Sequence, residues 1–259
     1  MFVAWLVGYL LVDIDSAAPL SASPDTRPSG EFPLGVDSAG RNLLAVMIVG
    51  APTTLRIGLI AGSLGMLIGT ILGFTAGYFG GITDAVIRTL ADVALSVPAL
   101  AVLVVIASVI TKTLDPTILA LIIAALAWMF PTRTIRSQVL TMRERAFVEV
   151  ARLSGLNNFE IIFKELMPNL LPYLAASFVG AVGAAVLAAI GLEALGLGPQ
   201  SEPTLGMTIF WARYYNAILR GMWWWWAPPV IIIILLFIGL FMVAAGLDEI
   251  ANPRARRAA

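Results

Sequence analysis

Apolar residues run almost unbroken over five long stretches of this chain. About 20 such residues cross a bilayer as a helix. Residues 54–80, TLRIGLIAGSLGMLIGTILGFTAGYFG, reach that length with only Arg56 as a charge near one end. Residues 93–110, VALSVPALAVLVVIASVI, predict a second span, kinked at Pro98 because proline breaks the ladder four residues back. A third, PTILALIIAALAWMFP at 116–131, opens with Asp115 as N-cap and Pro116 at the first helical position. Residues 169–192 and 227–247 complete the set.

Two further segments follow the pattern less simply. MFVAWLVGYLLV, residues 1–12, is too short for a straight span and contains no basic n-region of the kind a secretory signal wants. It reads as a first transmembrane helix that is short or lacks its start, with a cleaved signal or a shallow interfacial helix as alternatives. Residues 13–53 form the next region, an extracytoplasmic loop. Its first part, 13–35, is rich in Pro, Ser, Asp and Gly and reads as irregular. FPLGVDSAGRNLLAVMIVG then predicts a short amphipathic helix on the membrane surface, capped by Asp37 or Ser38. The core would cover 54–250, and 251–259 a basic tail.

The polar stretch between the third and fourth spans breaks the rhythm. Ile135, Val139, Met142, Ala146, Val150 and Leu153 recur at steps of three or four, which predicts one helix from about 132 to 153 with an apolar stripe. Gly155 stands where a left-handed cap would end it. Asn157 and Glu160 have capping-box spacing for a second, brief helix, FEIIFKELM, closed by Pro168. Helix, tight turn and short helix make a compact knob rather than an ordinary connection.

Charge placement orients the chain. Arg133, Arg136, Arg143, Arg145, Arg152 and Lys164 cluster around the knob, and Arg254, Arg256 and Arg257 close the chain. Basic loops stay in the cytoplasm, so the knob and both termini are expected inside. Arg88 follows them inside, and Lys112 alone lies outside. Trp223 to Trp226 precede the last span on its outer side and read as an interfacial anchor; a sugar-stacking platform is the alternative.

Composition narrows the chemistry. Of 259 residues, 59% are hydrophobic and only 12% charged, half the usual charged share of about 25% for soluble domains. The chain has neither cysteine nor histidine, which removes thiolate chemistry and the commonest general base. Sixteen basic residues balance sixteen acidic ones, so nothing points to nucleic acid. There is no Gly-x4-Gly-Lys-Ser/Thr, so a P-loop for ATP is not expected.

Glu149-Val150-Ala151, Gly155 and Leu166-Met167-Pro168 together resemble the EAA loop of bacterial ABC importer permeases. FPLGVDSAGRN (32–42), AGYFGGITDAVIRTLADVALSVP (76–98) and LEALGLGPQSEPTLGM (192–207) are similar to segments of the dipeptide, oligopeptide and nickel branch of that family, in particular its DppC/OppC-like members. Val150 replaces the family's usual alanine, Lys164-Glu165 stand where relatives often have Arg-His, and Asn42 follows Arg41 where the motif usually has aspartate. The resemblance implies an all-α type I permease bundle of about six transmembrane helices in a prokaryotic inner membrane. It also implies a second homologous permease, two ATPase subunits carrying ATP and Mg, and an extracytoplasmic binding protein that selects the cargo. Peptides are the first expectation for that cargo, with oligosaccharides or nickel as alternatives. No cofactor and no catalysis are expected of this chain itself. In the family the EAA loop docks into a groove of the ATPase. Glu149, Ala151, Arg152, Gly155, Phe159, Ile162, Phe163 and Pro168 are the matching candidates here. Gly155 sets the turn, the apolar residues form the surface, and Glu149 and Arg152 edge it.

Asp84, Arg88 and Asp92 share one helix face at i, i+4 and i+8 and predict a ladder that neutralises itself on entering lipid, or a part in gating. Glu193, near the outer end of the fourth long span, is either a shallow, hydrated or hydrogen-bonded carboxylate near the interface or part of the pathway. Gly180 and Gly183 lie on a small-residue face with Ala176 and Ala184, suited to close helix packing; in relatives this helix lines the path. A self-sufficient channel or carrier would instead conduct without nucleotide, and a membrane-embedded enzyme would need clustered carboxylates that the spans lack.

Overall fold

The structure, a computed structural model, describes residues 8–9, 12–109, 114–200 and 202–251. Most of the first apolar segment, the short connection at 110–113 with Lys112, and the tail arginines lie outside the described residues. The chain divides into two compact units. One gathers the described residues of Met1–Ile60, Leu103–Ile123 and Ala185–Gly239; the other gathers those of Ala61–Val102, Ala124–Ala184 and Leu240–Ala259.

The helices, in chain order, are α1 (Leu43–Phe79), α2 (Gly81–Ser96), α3 (Ala99–Val109), α4 (Pro116–Ala127), α5 (Met129–Arg143), α6 (Ala146–Leu153), α7 (Asn158–Ala194), α8 (Leu205–Tyr214) and α9 (Trp223–Ala251). Among the described residues α1, α7 and α9 are each long and apolar enough to cross a membrane, and the bent pairs α2–α3 and α4–α5 bring the number to five if each is one span. At 1.5 Å per residue the 37 residues of α1 reach about 55 Å, well beyond a hydrocarbon core of about 30 Å.

That length corrects one expectation. The surface helix over 32–50 does not exist as a separate element. Residues 43–53 are the first turns of α1, and Asn42, whose Oδ1 accepts from Leu44 N at 3.1 Å, caps it instead of Asp37 or Ser38. Asp37 is fully buried and organises the preceding turn. Its carboxylate accepts from the Ala39 and Arg41 amides, both at 2.9 Å, and from Arg41 Nε at 2.6 Å. Such a set of donors offsets much of the cost of burying the Asp37 carboxylate.

Prolines behave in opposite ways along the chain. Before Pro98 the backbone of Val97 turns extended (φ −91°, ψ 131°), and α2 and α3 meet at 80°. The kink expected at Pro98 is thus a full break between two helices, because the pyrrolidine ring disfavours helical geometry in the residue before it. Pro131 does not end the third span: α5 continues through it to Arg143 after a 41° bend at Trp128. Pro168 likewise lies inside α7, not after a brief helix. Residues Ile161–Leu166 form a π turn, with the Met167 amide donating to Ile162 O. The wider turn takes the carbonyls out of the register a proline would disrupt.

Glycines decide how the second unit packs. Gly65, Gly69, Gly73 and Gly77 stand four residues apart on α1. A Cβ there would fall 2.5 Å from Ala127 Cβ, 2.5 Å from Pro131 Cβ, 2.9 Å from Ile135 Cβ and 2.8 Å from Val139 Cβ respectively. Bare backbone lets α1 lie directly against α5 and the end of α4. Beside that seam Phe74, Tyr78, Ile135, Val139, Val148, Ile161 and Leu166 form a buried cluster.

Candidate functional site

The knob is built from α6, the turn at 154–157 and the start of α7. The expected single helix over 132–153 is two: Arg145 is extended (φ −79°, ψ 146°), and α5 gives way to α6 there. This interruption resets the helical phase. Val150 and Leu153, expected on the buried stripe, are exposed, while Val148 and Ala151 take the interior. Ser154 ends α6 and Gly155 follows with φ +85°. The Leu156 amide donates to Ala151 O and the Gly155 amide to Arg152 O, closing the left-handed cap. Asn157 and Glu160 then form the capping box in both directions, each bond 3.0 Å, and Lys164 Nζ reaches Glu160 Oε1 at 2.8 Å.

The two halves of the turn are therefore fixed locally, and long-range contacts fix the whole. Tyr78 Oη, at the end of α1, donates to Asn158 Oδ1 at 3.0 Å. Arg143 Nη1 donates to the carbonyls of Gly77 at 2.9 Å and Tyr78 at 3.4 Å, quieting the last carbonyls of α1 with a cation. Asp84 of α2 takes a two-pronged ion pair from Arg136 of α5, with Nη2 to Oδ2 at 2.6 Å. Asp92 lies 3.9 Å from Arg133. The Asp84–Arg88–Asp92 ladder is thus not self-neutralising as expected. Asp84 is paired with Arg136 across the helix seam, and Asp92 approaches Arg133, so both carboxylates lean toward α5 rather than along their own helix. Arg88 is exposed and makes no ion pair among the described residues.

What the knob presents is apolar and open. Phe159 and Phe163 are 67% and 58% exposed, four residues apart, and with Phe79, Asn157 and Lys164 they line an open depression of ≈ 480 Å³. Glu149, Arg152 and Gly155 are exposed beside it. Ile162 and Ala151 are not at this surface: both are 6% exposed and belong to the cluster beneath it. The sequence placed Ile162 among the docking residues because a short amphipathic helix of FEIIFKELM offers apolar side chains all round.

Glu193, near the C-terminal end of α7, has a surrounding of its own in the first unit. It is fully buried, and neither carboxylate oxygen makes a hydrogen bond among the described residues. It is therefore not a hydrated interfacial group. Its polar neighbours are the Thr204 hydroxyl and the Gly206 amide, at the first turn of α8. The other early amides of α8 are taken, Leu205 N by Thr54 Oγ1 at 3.0 Å and Met207 N by Thr204 Oγ1 at 3.1 Å. The positive end of a helix is a favourable neighbour for a carboxylate. Gly183 is buried on α7, whereas Gly180 is exposed with open space where a side chain would stand. The close approach expected of this face occurs at Gly62, where a Cβ would fall 2.8 Å from the backbone of Val182. The glycine ladder of α1 carried the packing signal that Gly180 did not, and its four-residue spacing was readable in the sequence.

Of the four tryptophans, Trp224 and Trp225 are buried with Leu43, Ala212, Ala217 and Met222. Only Trp223 is exposed enough to serve as an interfacial anchor.

Long apolar helices and two bent pairs define a multi-pass helical membrane protein. The chain belongs to the family of binding-protein-dependent transport system inner membrane components, whose model matches residues 69–257. It is 28% identical over 246 residues to a dipeptide transport system permease protein DppC of Alkalihalophilus pseudofirmus, covering 93% of this chain and 79% of the relative. It is 29% identical over 255 residues to a probable D,D-dipeptide transport system permease protein DdpC of Escherichia coli, covering 98% and 83%. An oligopeptide transport system permease protein OppC of Mycobacterium bovis is 30% identical over 205 residues, 79% of this chain and 69% of that one. Among solved structures, a chain of the MetNI methionine ABC transporter in an inward-facing conformation shares the fold, with TM-score 0.62, 19% identity, and coverage of 80% and 95%.

Proposed function

We propose that this chain is the transmembrane permease subunit of an ATP-driven importer of peptides, worked from the cytoplasm through the knob at 146–168. Relatives named as dipeptide and oligopeptide permeases support the cargo class. The observation that carries the mechanism is the pairing of exposed Phe159 and Phe163 with a turn that has no slack. Covering a phenylalanine ring is worth about 1.5–3 kcal/mol, so two rings give an ATPase subunit a firm hold. Glu149 and Arg152 are the polar edge of that contact, and Gly155 sets its shape. Pro168 acts from inside α7, by fixing the π turn, and Ala151 and Ile162 act as buried supports.

ATP and Mg belong to two separate ATPase subunits, and this chain holds no cofactor. Closure of those subunits displaces the knob. The Tyr78–Asn158 and Arg143–Gly77 bonds carry the displacement to α1 and α5, and Asp84–Arg136 carries it to α2. The path alternates its opening in consequence. A second, homologous permease completes the path, with the open face at Gly180 available to it, and an extracytoplasmic binding protein delivers the peptide. The knob and both termini lie in the cytoplasm, as the arginine distribution requires.

Gly155→Val tests this reading. Nothing lies within 4 Å of an added Cβ, so the strain falls first on the left-handed backbone of the turn. Loss of transport and of substrate-stimulated ATPase activity in the assembled complex is expected. Normal values for both would refute the coupling role. Flux through the purified chain without nucleotide would replace the importer with a self-sufficient carrier.

A further inference from the structure

The segment between α8 and α9 carries an exposed apolar patch that the knob and the Glu193 site do not involve. Tyr214, Ile218, Leu219 and Trp223 are 64%, 64%, 86% and 56% exposed. Single exposed apolar residues are ordinary; four within ten positions, on a well-fixed turn, are not. The turn is held from behind. Ala217 N donates to Ala212 O at 2.8 Å and Met222 N to Ala217 O at 2.9 Å, and Ala217 and Met222 pack into the Trp224–Trp225 cluster. Arg220 ties the same turn to Asp25, and its Nη1 reaches Ser38 Oγ at 2.9 Å. Ile218 and Leu219 are consequently fixed outward.

We infer that this turn is a lipid anchor, seated in the headgroup and upper acyl region of the bilayer where α9 begins. The inference rests on the membrane reading of α9. Two observations select lipid as the occupant. First, the patch is continuous along the chain with an apolar helix face: Trp223, Val230, Ile234 and Ile238 recur at seven, four and four residues and are all exposed. A bare apolar face on a helix of spanning length is suited to lipid, and Trp223 is its first residue. Second, residues 205–226 contain two arginines and no carboxylate. Arg220 is engaged by Asp25, which leaves exposed Arg213 to meet anionic headgroups. Tyrosine, tryptophan and leucine over an arginine is the composition of an interfacial segment.

The chain has no cysteine, so single labels can be placed without background. Leu219→Cys, Ser23→Cys and Ile234→Cys, each exposed, are spin-labelled in the full chain and reconstituted in vesicles of phosphatidylcholine and phosphatidylglycerol. Collision with oxygen reports lipid, and collision with a water-soluble nickel chelate reports solvent. The Leu219 label is expected to meet oxygen several-fold more than the chelate, as Ile234 does and Ser23 does not, and Arg213→Ala to reduce that preference as phosphatidylglycerol is raised. A Leu219 label that behaves like Ser23 overturns the inference. So does a label shielded from both reagents, which would place a protein partner on the patch. An Ile234 label in water would instead strike at the membrane reading of α9 itself.

Discussion

Gly206 lacks a side chain where Glu193 needs the room: a Cβ there would fall 2.3 Å from Glu193 Oε2 and 3.1 Å from the Ile190 Cα. The end of α7 and the first turn of α8 are thereby locked together by a buried carboxylate against bare backbone. Gly198 closes the other side, since its Cβ would fall 2.7 Å from Glu193 Cγ.

Gly206→Val should therefore be costly, by about 1–3 kcal/mol or more from overpacking. Glu193→Gln, which keeps the shape, should lose much less. Thermal unfolding of the two variants in detergent checks the order. Equal melting temperatures would mean that Glu193 is not held against Gly206.

The glycine ladder of α1 makes a second prediction. Gly73→Val meets Ile135 Cβ and the carbonyl of Thr132, both at 3.0 Å or less. The shortfall cannot be relieved by rotating a side chain, because backbone is in the way. The variant should fold poorly or not at all, whereas Gly180→Ala, facing open space, should express normally. Yield of monodisperse protein measures both.

Phe163 and Ile162 are neighbours in sequence with opposite fates. Phe163→Ala should leave the melting temperature nearly unchanged and weaken ATPase stimulation in the complex. Ile162→Ala should cost about 2–5 kcal/mol of stability, because Ile162 is in the cluster under the knob. Stability and coupling measured side by side separate the two.

Asp25 gives a pH dependence. Burial raises its pKa, but hydrogen bonds from Arg220 and Ser38 and the arginine charge outweigh it, and the net shift is downward. The tether between the 18–42 lobe and the 216–221 turn is accordingly at full strength above the ordinary aspartate range and is lost as pH falls through the lowered value. Both side chains are more than a third exposed, so solvent screens the pair and the effect is local. The protection of amides at 18–42 against hydrogen exchange, taken relative to their intrinsic rate at each pH, should fall at acid pH in the natural chain. In Asp25→Asn it should be reduced already at neutral pH.

Short-range chemistry was legible in the sequence. Asp115 does cap α4, accepting from Thr117 N at 2.7 Å and Ile118 N at 2.9 Å. Asn157, Glu160 and Gly155 also do what their spacing implies, because capping involves only residues within a turn of one another. Apolar runs of spanning length were likewise sufficient to announce a membrane protein, since a bilayer sets a minimum apolar length for any helix that crosses it.

Tertiary structure decided what those rules leave open. Pro98 breaks a helix, while Pro131 and Pro168 are carried through; the difference lies in the extended Val97, the glycine seam behind the bend at Trp128, and the π turn before Pro168. Arg145 turned the phase of α6 and exchanged Val150 for Val148 in the interior. Glu193 found its place only when Gly198, Thr204 and Gly206 came to lie against it. A sequence pattern specifies which faces are apolar; which of them meets protein and which meets lipid depends on contacts between residues far apart in the chain, and those exist only once the chain has packed.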